Sequence, residues 1–159
     1  MDAMSDGFDA WESAWDSPGF VLWHVSLRWQ GAMRAALAPH GLTHVQFVLL
    51  ASVGWLAEHG AAPTQRAVAD HAGADIAMTS QVVRSLEAKG LVARERELGD
   101  ARSWRLSLTR AGGERLAAAL EAVEAADRAF FAHAPEPDEM PGILRALARR
   151  DRTGAKLGE

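Results

Sequence analysis

The sequence predicts a mainly α-helical chain with one small β-hairpin, in which a winged helix-turn-helix is joined to a helical dimerisation region. Three observations predict this fold class. Residues 64–89 contain two short helical patterns, and the turn signal Ala72-Gly73-Ala74-Asp75 separates them. Leu91-Val92-Ala93 then opens a strand, and alternating apolar residues from Trp104 to Leu108 mark a second one. Long apolar helical patterns flank this central stretch on both sides.

Composition restricts the class of protein. The 159 residues are enough for one domain with a buried core, which we place at residues 17–150. The absence of cysteine excludes disulfides, thiolate catalysis and cysteine-ligated zinc. The chain has no apolar run of the length that spans a membrane, and its start is acidic rather than basic as in a secretory signal. We therefore expect a cytoplasmic protein without a membrane partner.

Charge is unevenly distributed along the chain. The formal net charge is −4, and residues 1–16 contribute five acids and no base. Residues 64–115 carry nine basic and seven acidic side chains, a local excess of two positive charges. Because phosphate neutralisation depends on local basic groups, this pattern permits DNA binding although the total is acidic.

The N-terminal part contains an acidic segment and one long helix. In residues 1–16, Phe8, Trp11 and Trp15 have helical spacing, which fits either a short amphipathic segment or a frayed tail. Ser17-Pro18 is a helix start, and the helix continues over residues 18–38. Its apolar residues form two stripes on different sides, so we expect burial on more than one side and a partner subunit.

The middle of the chain predicts the core and the helix-turn-helix. Thr43 and Gln46 form a capping box for an apolar helix that extends to His59, which we expect behind the helix-turn-helix. The second helix of that motif runs from about Ile76 to Lys89. Gly90 follows it, at the position where a left-handed residue ends many helices. The DNA-binding lobe is thus predicted at about residues 43–108.

Two further helices are predicted after the hairpin, over residues 110–150. Thr109 caps a long alanine-rich helix that reaches Ala132 and has the spacing of an association surface. Pro135-Glu136-Pro137 interrupts the chain, and Asp138 is predicted to cap a last helix that ends near Arg149. Residues 151–159 are predicted to be a disordered tail.

These segments resemble the MarR family of bacterial winged-helix regulators over roughly residues 18–150. The most specific marks are the second-helix run MTSQVVRSLE, residues 78–87, and the hairpin tip Asp100-Ala101-Arg102. The resemblance implies a homodimer whose first and last helices form the interface and whose winged helices read a pseudo-palindromic duplex. It also implies release from DNA by a small aromatic or phenolic compound.

Eleven residues are predicted to contact DNA. Polar groups early on the second helix can bind phosphates, Gln81 can pair with adenine and Arg84 with guanine or a phosphate. Arg102 is predicted to enter the minor groove, and Asp100 to hold an arginine in place. The other reading of these polar residues is a solvated helix face and an ordinary turn. The set is Thr64, Gln65, Met78, Thr79, Ser80, Gln81, Arg84, Arg94, Arg96, Asp100 and Arg102.

A ligand pocket is predicted near the first helix. Aromatic walls with few polar groups suit a planar aromatic effector. The alternative is that the same tryptophans fill the dimer core. The predicted lining is Trp15, Phe20, Trp23, His24, Leu27 and Trp55.

No enzymatic or metal chemistry is predicted. The chain has no glycine-rich phosphate loop, no HExxH and no GxSxG, and His24, His40 and His44 do not have the spacing of paired ligands. We expect no cofactor. The function that fits best is a homodimeric, ligand-responsive transcription factor that represses rather than activates. The alternative is a winged-helix module that binds proteins and not DNA.

Overall fold

Six α-helices and one antiparallel hairpin make up the part of the chain that the structure describes, which confirms the predicted fold class. The computed structural model describes residues 13–97 and 99–148, except the side chains of residues 100–102. Short 3₁₀ helices lie at Ala14–Asp16, Ala38–His40 and Pro137–Glu139. The elements are α1 (Pro18–Leu37), α2 (His44–Glu58), α3 (Gln65–Ala72), α4 (Ile76–Ala88), β1 (Val92–Glu97), β2 (Asp100–Leu108), α5 (Arg110–Phe131) and α6 (Met140–Ala148).

Side-chain caps start most of these helices where the sequence predicts. The Ser17 hydroxyl accepts from the amide of Phe20 at the start of α1, and the predicted capping box of Thr43 and Gln46 is present at α2. The last helix is present, but its predicted cap is wrong, because Asp138 lies inside a 3₁₀ helix and α6 begins at Met140. The 3₁₀ helix Pro137–Glu139 occupies the position of the predicted cap, so α6 begins one residue later than a helix capped by Asp138 would.

The hydrophobic core lies behind the helix-turn-helix, as predicted. Leu49, Leu50 and Val53 of α2 are fully buried. They belong to one cluster with buried residues of α3, α4 and β2, among them Val83 and Leu106. Helix α2 therefore holds the two helices of the motif and the base of the hairpin in one orientation.

The hairpin, hereafter called the wing, is attached to the helix-turn-helix. Strands β1 and β2 pair antiparallel from Val92↔Leu108 to Arg96↔Trp104, and an irregularity follows after Arg96. The amide of Leu106 also donates to the carbonyl of Pro63 at 2.9 Å. Because this bond joins β2 to the segment before α3, the base of the wing is fixed to the motif.

Helices α1 and α5 pack together outside this lobe and leave apolar surface uncovered. The indole Nε1 of Trp29 donates to Asp127 Oδ1 at 2.7 Å and joins the two helices. The outer faces of α1 and α6 remain exposed at Phe20, Leu22, Trp23, Val25, Leu27, Ile143, Leu144 and Leu147.

In the described part of the chain, no single helix is long and apolar enough to cross a membrane. One pair, Pro18–His40 with His44–Glu58, meets the length and composition criteria only when taken together, and it is bent by 73°.

Candidate functional site

Helix α4 divides its side chains between the core and solvent. Val83 and Leu86 are fully buried, as expected for packing residues. Thr79 is also fully buried, and its hydroxyl donates to the carbonyl of Asp75 at 2.8 Å. The predicted contact between Thr79 and DNA is therefore wrong, because this side chain is satisfied within the protein and has no exposed surface. Helical periodicity places position 79 on the side of Val83 and Leu86.

The opposite face of α4 is polar and open to solvent. Gln81 and Arg84 are exposed, Met78 is 40% exposed, and Ser80 is half-buried. Arg84 Nε donates to the Ser80 carbonyl at 3.2 Å, which leaves the rest of its guanidinium free to bind other groups. This face presents an amide and a guanidinium, which are side-chain groups of the types that can pair with base edges.

The start of α3 has mainly a structural role. The Thr64 hydroxyl oxygen accepts from the amide of Ala67 at 3.1 Å and so caps the N-terminus of α3. Gln65 is half-buried, and its Oε1 is buried with no hydrogen-bond partner in the described part of the chain. Because that oxygen is buried, only the side-chain amide nitrogen of Gln65 could contact a phosphate.

In the wing, Trp104 lies beneath two guanidinium groups. The guanidinium carbons of Arg94 and Arg96 lie 4.5 and 4.6 Å from the Trp104 ring centroid. Arg94 also pairs with Glu87 of α4 at 2.8 Å, and its side chain is only 16% exposed. The structure thus corrects the prediction for Arg94, which ties the wing to α4 instead of facing outward to DNA. Arg96 is exposed.

The tip of the wing is described only in part. Asp100 pairs with Glu97 in the sheet, and Arg102 lies in β2. The predictions for the side chains of Asp100 and Arg102 fall outside the described residues. Asp100 was predicted to hold an arginine in place. In the structure, the Glu97 carboxylate forms such an ion pair with Arg105. Hydrogen bonds from Ser103 and then Arg105 lower the pKa of the Glu97 carboxyl.

A polar network that the sequence analysis missed fixes the end of α4. Lys89 Nζ donates to the carbonyl of Gly41 at 2.8 Å and to Gln46 Oε1 at 2.9 Å. The amide of Gln46 in turn donates to the Ser85 hydroxyl at 3.0 Å. Gln46 is thus both a member of the α2 capping box and the link to α4, and only the first role has a local sequence signal.

The six predicted pocket residues do not form one site in this chain. Trp15, Phe20 and His24 contact one another, with ring centroids 4.4 to 5.4 Å apart. Trp23 and Leu27 are exposed on α1. Trp55 lies elsewhere. The imidazoles of His59, just after α2, and of His71 in α3 stack on it, and no α1 residue is among the described residues that line its cavity.

The cavity beside Trp55 has a volume of about 630 Å³ and lies between α2, α3, the end of β2 and α5. Phe47, Leu116 and Leu120 supply apolar walls, and the polar side chains are few. Ser52 is buried, and its hydroxyl lies 3.0 Å from His71 Nδ1. The size and the mostly apolar lining suit a small aromatic molecule.

No group of three or more metal-ligating side chains occurs within the described ranges. His44 packs edge-on against Trp29, with the ring centroids 5.0 Å apart. Burial lowers the pKa of His44, and the charge of Asp127 opposes that shift. This cluster joins α1, α5 and the first turn of α2 and is a structural contact.

The exposed polar face of α4, the wing attached to the same lobe and the buried core behind α4 define a winged helix-turn-helix protein. A sequence model of the MarR family matches residues 42–104. A relative from Bacillus subtilis (strain 168), named as the uncharacterized HTH-type transcriptional regulator YdcH, is 44% identical over 135 residues, which are 85% of this chain and 92% of the relative. The chain belongs to the MarR family and is a transcriptional regulator, not an enzyme.

Two solved structures of one protein are similar to the whole fold. CouR from Rhodococcus jostii RHA1 bound to p-coumaroyl-CoA is 28% identical with a TM-score of 0.74, covering 89% of this chain and 98% of that chain. The transcriptional repressor CouR bound to a 23-mer DNA duplex is 26% identical with a TM-score of 0.72, covering 84% of this chain and 91% of that chain.

Proposed function

We propose that this chain is a homodimeric, sequence-specific DNA-binding repressor that a small aromatic ligand releases from its operator. The observation that carries the proposal is the exposed face of α4, where Gln81 and Arg84 lie beside a wing fixed to the same core. A helix held in this way can enter a major groove with its polar face toward base edges. The repressor CouR, which has the same fold, has been solved on a DNA duplex.

The homodimer is supported by apolar surface that one copy leaves uncovered. Leu22 and Trp23 of α1 are 59% and 61% exposed, and Leu147 of α6 is 75% exposed. Exposed apolar residues in a contiguous helical region indicate an association surface. A second copy on this surface would present two recognition helices, so that a symmetric duplex could be read in two successive major grooves.

Release by a ligand is supported by the cavity beside Trp55. Its lining combines residues of α5, which packs against α1, with residues of α2 and of α3, the first helix of the motif. A ligand there would contact both halves of the protein. It would shift DNA binding by its differential affinity for the binding and non-binding arrangements of these helices.

The DNA-binding proposal can be tested by selecting duplexes from a random pool on the immobilised full-length chain. We expect enrichment of a pseudo-palindromic sequence and a steep loss of its binding as salt concentration rises. The matched control is the Arg84→Ala variant, which keeps the buried face of α4 and loses the exposed guanidinium. It should enrich weakly or not at all.

A protein-binding module would behave differently in this experiment. It would enrich no sequence, and its retention on heparin would depend little on salt. That combination of results would exclude the DNA-binding proposal and favour the alternative function. Analytical ultracentrifugation of the same sample tests the dimer separately.

A further inference from the structure

The C-terminal end of α4 is held to the rest of the protein by a lysine. Lys89 follows the last residue of α4, and its Nζ donates to the Gly41 carbonyl at 2.8 Å and to Gln46 Oε1 at 2.9 Å. Within the described ranges, no carboxylate forms an ion pair with this ammonium. Hydrogen bonds from a charged donor are stronger than those between neutral groups, so these two contacts hold the helix end firmly.

Gln46 makes this attachment at two points of α4. Its side chain is buried, and its Nε2 donates to the Ser85 hydroxyl at 3.0 Å while its Oε1 accepts from Lys89. Ser85 and Lys89 are four residues apart and therefore lie on one side of the helix. Oε1 also accepts from the Thr43 amide at 3.1 Å, which fixes the glutamine at the start of α2. An attachment at two successive turns resists both rotation of α4 about its axis and tilting of its end.

The attachment continues to α5 through the turn between α1 and α2. Arg115 of α5 donates to the carbonyl of His40, and Lys89 donates to the carbonyl of the next residue, Gly41. Consecutive carbonyls of one turn thus accept from α5 and from the end of α4. The orientation of α4 is therefore set by α2 and by this turn, in addition to the apolar core.

The same geometry keeps Lys89 away from the face of α4 that is proposed to read DNA. Lys89 is five residues after Arg84, which places it about 140° around the helix and about 7.5 Å along its axis. Arg84 and Gln81 are exposed on the outer face, whereas the Lys89 ammonium is bonded to α2 and to the preceding turn. Base edges must be aligned with their donors, whereas phosphate contacts carry no sequence information. A small change in the angle of α4 should thus reduce specific binding far more than non-specific binding.

We infer that Lys89 is a positioning residue for sequence-specific DNA binding, which acts through Gln46 and Gly41 and makes no contact with the duplex itself. The inference rests on the proposed DNA-binding function. Lys89 sets the angle at which Gln81 and Arg84 meet the base edges, and through the turn at Gly41 it ties this angle to the position of α5.

Fluorescence anisotropy of the full-length chain across a salt series tests this role. Two duplexes of equal length are used, the sequence enriched from the random pool and a scrambled version of it. Lys89→Met keeps the apolar stem and removes the ammonium. We expect it to bind the enriched duplex about tenfold more weakly, a loss comparable to one base contact, with unchanged affinity for the scrambled duplex and an unchanged salt dependence. A lysine bound to a phosphate would instead lower both affinities and reduce the salt slope by about one.

Three further variants separate positioning from a loss of charge. Lys89→Arg keeps a cationic donor within reach of the same acceptors and should restore most of the preference for the enriched duplex. Ser85→Ala removes one contact to Gln46 without changing a charge and should lower this preference about threefold. Arg110→Met is the matched control, because it removes a charge from a side chain that is 94% exposed on α5, and it should keep the wild-type preference. Urea unfolding of each variant identifies a temperature at which it is folded.

The inference is overturned if Lys89→Met keeps the wild-type preference for the enriched duplex, or if it reduces the salt slope. If Lys89→Met does not fold, an unchanged preference in Ser85→Ala overturns it instead. A wild-type chain that enriches no sequence contradicts the proposed function and this role with it. A chain that enriches a sequence and keeps its preference without the Lys89 ammonium contradicts only this role.

Discussion

Thr79 and Gln81 are two residues apart on α4 and have opposite surroundings. Thr79 is fully buried and bonded to the Asp75 carbonyl, whereas Gln81 is exposed. Two residues turn a helix by about 200°, so neighbouring polar residues of similar chemistry have unrelated roles. On this helix, Gln81 and Arg84 are the polar side chains that have both the exposure and the donors required to contact bases.

Replacing Arg84 with alanine should weaken binding to a selected operator by about 1 to 3 kcal/mol, since a guanidinium contact to a base edge is lost. Folding should be unaffected, because the side chain is exposed. Fluorescence anisotropy at fixed salt measures the change. Arg110→Ala is the control, because it removes the same charge from a side chain that is 94% exposed on α5. Equal losses in both variants would show a general charge effect instead of base contact.

His44 should make the fold less stable in mild acid. Burial lowers the pKa of His44 in the folded chain, so the unfolded chain binds this proton more readily. Stability should therefore fall as the pH drops through the ordinary histidine range, and it should level off below the folded pKa. Urea unfolding of His44→Gln at several pH values should show a flatter profile. Replacing the exposed His133 with Gln is the comparison. A His44 variant with the wild-type slope would contradict this assignment.

Helices α4 and α5 are joined at the base of the wing by contacts at the start of α5. The Thr109 hydroxyl donates to the Gly90 carbonyl at 2.6 Å, and the Thr109 amide donates to the carbonyl of Leu91 at 3.1 Å. Gly112 lies against the same segment, where an added Cβ would come within 1.9 Å of the Leu91 carbonyl oxygen. The close approach of the backbones requires glycine at this position.

Adjacent glycines of α5 should respond oppositely to alanine. Gly112→Ala should destabilise the fold by about 1 to 3 kcal/mol or more, because the methyl group collides with rigid backbone. Gly113→Ala should be neutral or stabilising by up to about 1 kcal/mol, since a Cβ there meets nothing within 4 Å and alanine favours the helix. Thermal and urea unfolding of both variants measure the two changes in stability. Similar losses in both would exclude the backbone contact as the cause.

The sequence predicted the elements better than the contacts between them. Helix starts at Ser17, Thr43, Thr64 and Thr109 were predictable because a cap acts on an amide two or three residues away. The Glu87–Arg94 pair was not, because it joins a helix to a strand and has no local periodicity. The predicted aromatic pocket failed for a similar reason. Two helices can each carry tryptophan, and only their packing decides whether the rings share a space.

At the scale of the whole molecule, α1 and α6 expose apolar faces of the kind that a stable monomer normally buries. Phe20 and Val25 of α1 are 37% and 41% exposed, and Ile143 of α6 is 48% exposed. The α2 core is complete within one chain. The same cluster includes Met33 of α1 and Leu116 of α5, so the two regions share one core, whereas the outer faces of α1 and α6 remain exposed.

Leu22→Glu should dissociate the proposed dimer. Each copy would bury a charge in place of a leucine that is 59% exposed in the single chain. The substitution occurs twice per dimer, so the loss should reach about 3 kcal/mol, or roughly a hundredfold in the dissociation constant. Sedimentation velocity across a concentration series measures it. Ile76→Glu, at an apolar site on α4 that is 50% exposed, should leave the mass unchanged. If neither variant changed the mass, the dimer interface would not lie on α1 as proposed.

The bonds from Thr109 to Gly90 and Leu91 have a mechanical consequence. These bonds connect the end of the recognition helix α4 to the first turn of α5, so the two are expected to move together. Helix α5 then acts as a lever attached to α4. A lever of 22 residues is about 33 Å long, so each degree of tilt about its far end displaces the attached end by roughly 0.6 Å. In the proposed dimer, a small rotation where the two copies meet would therefore be amplified into the distance between the two recognition helices.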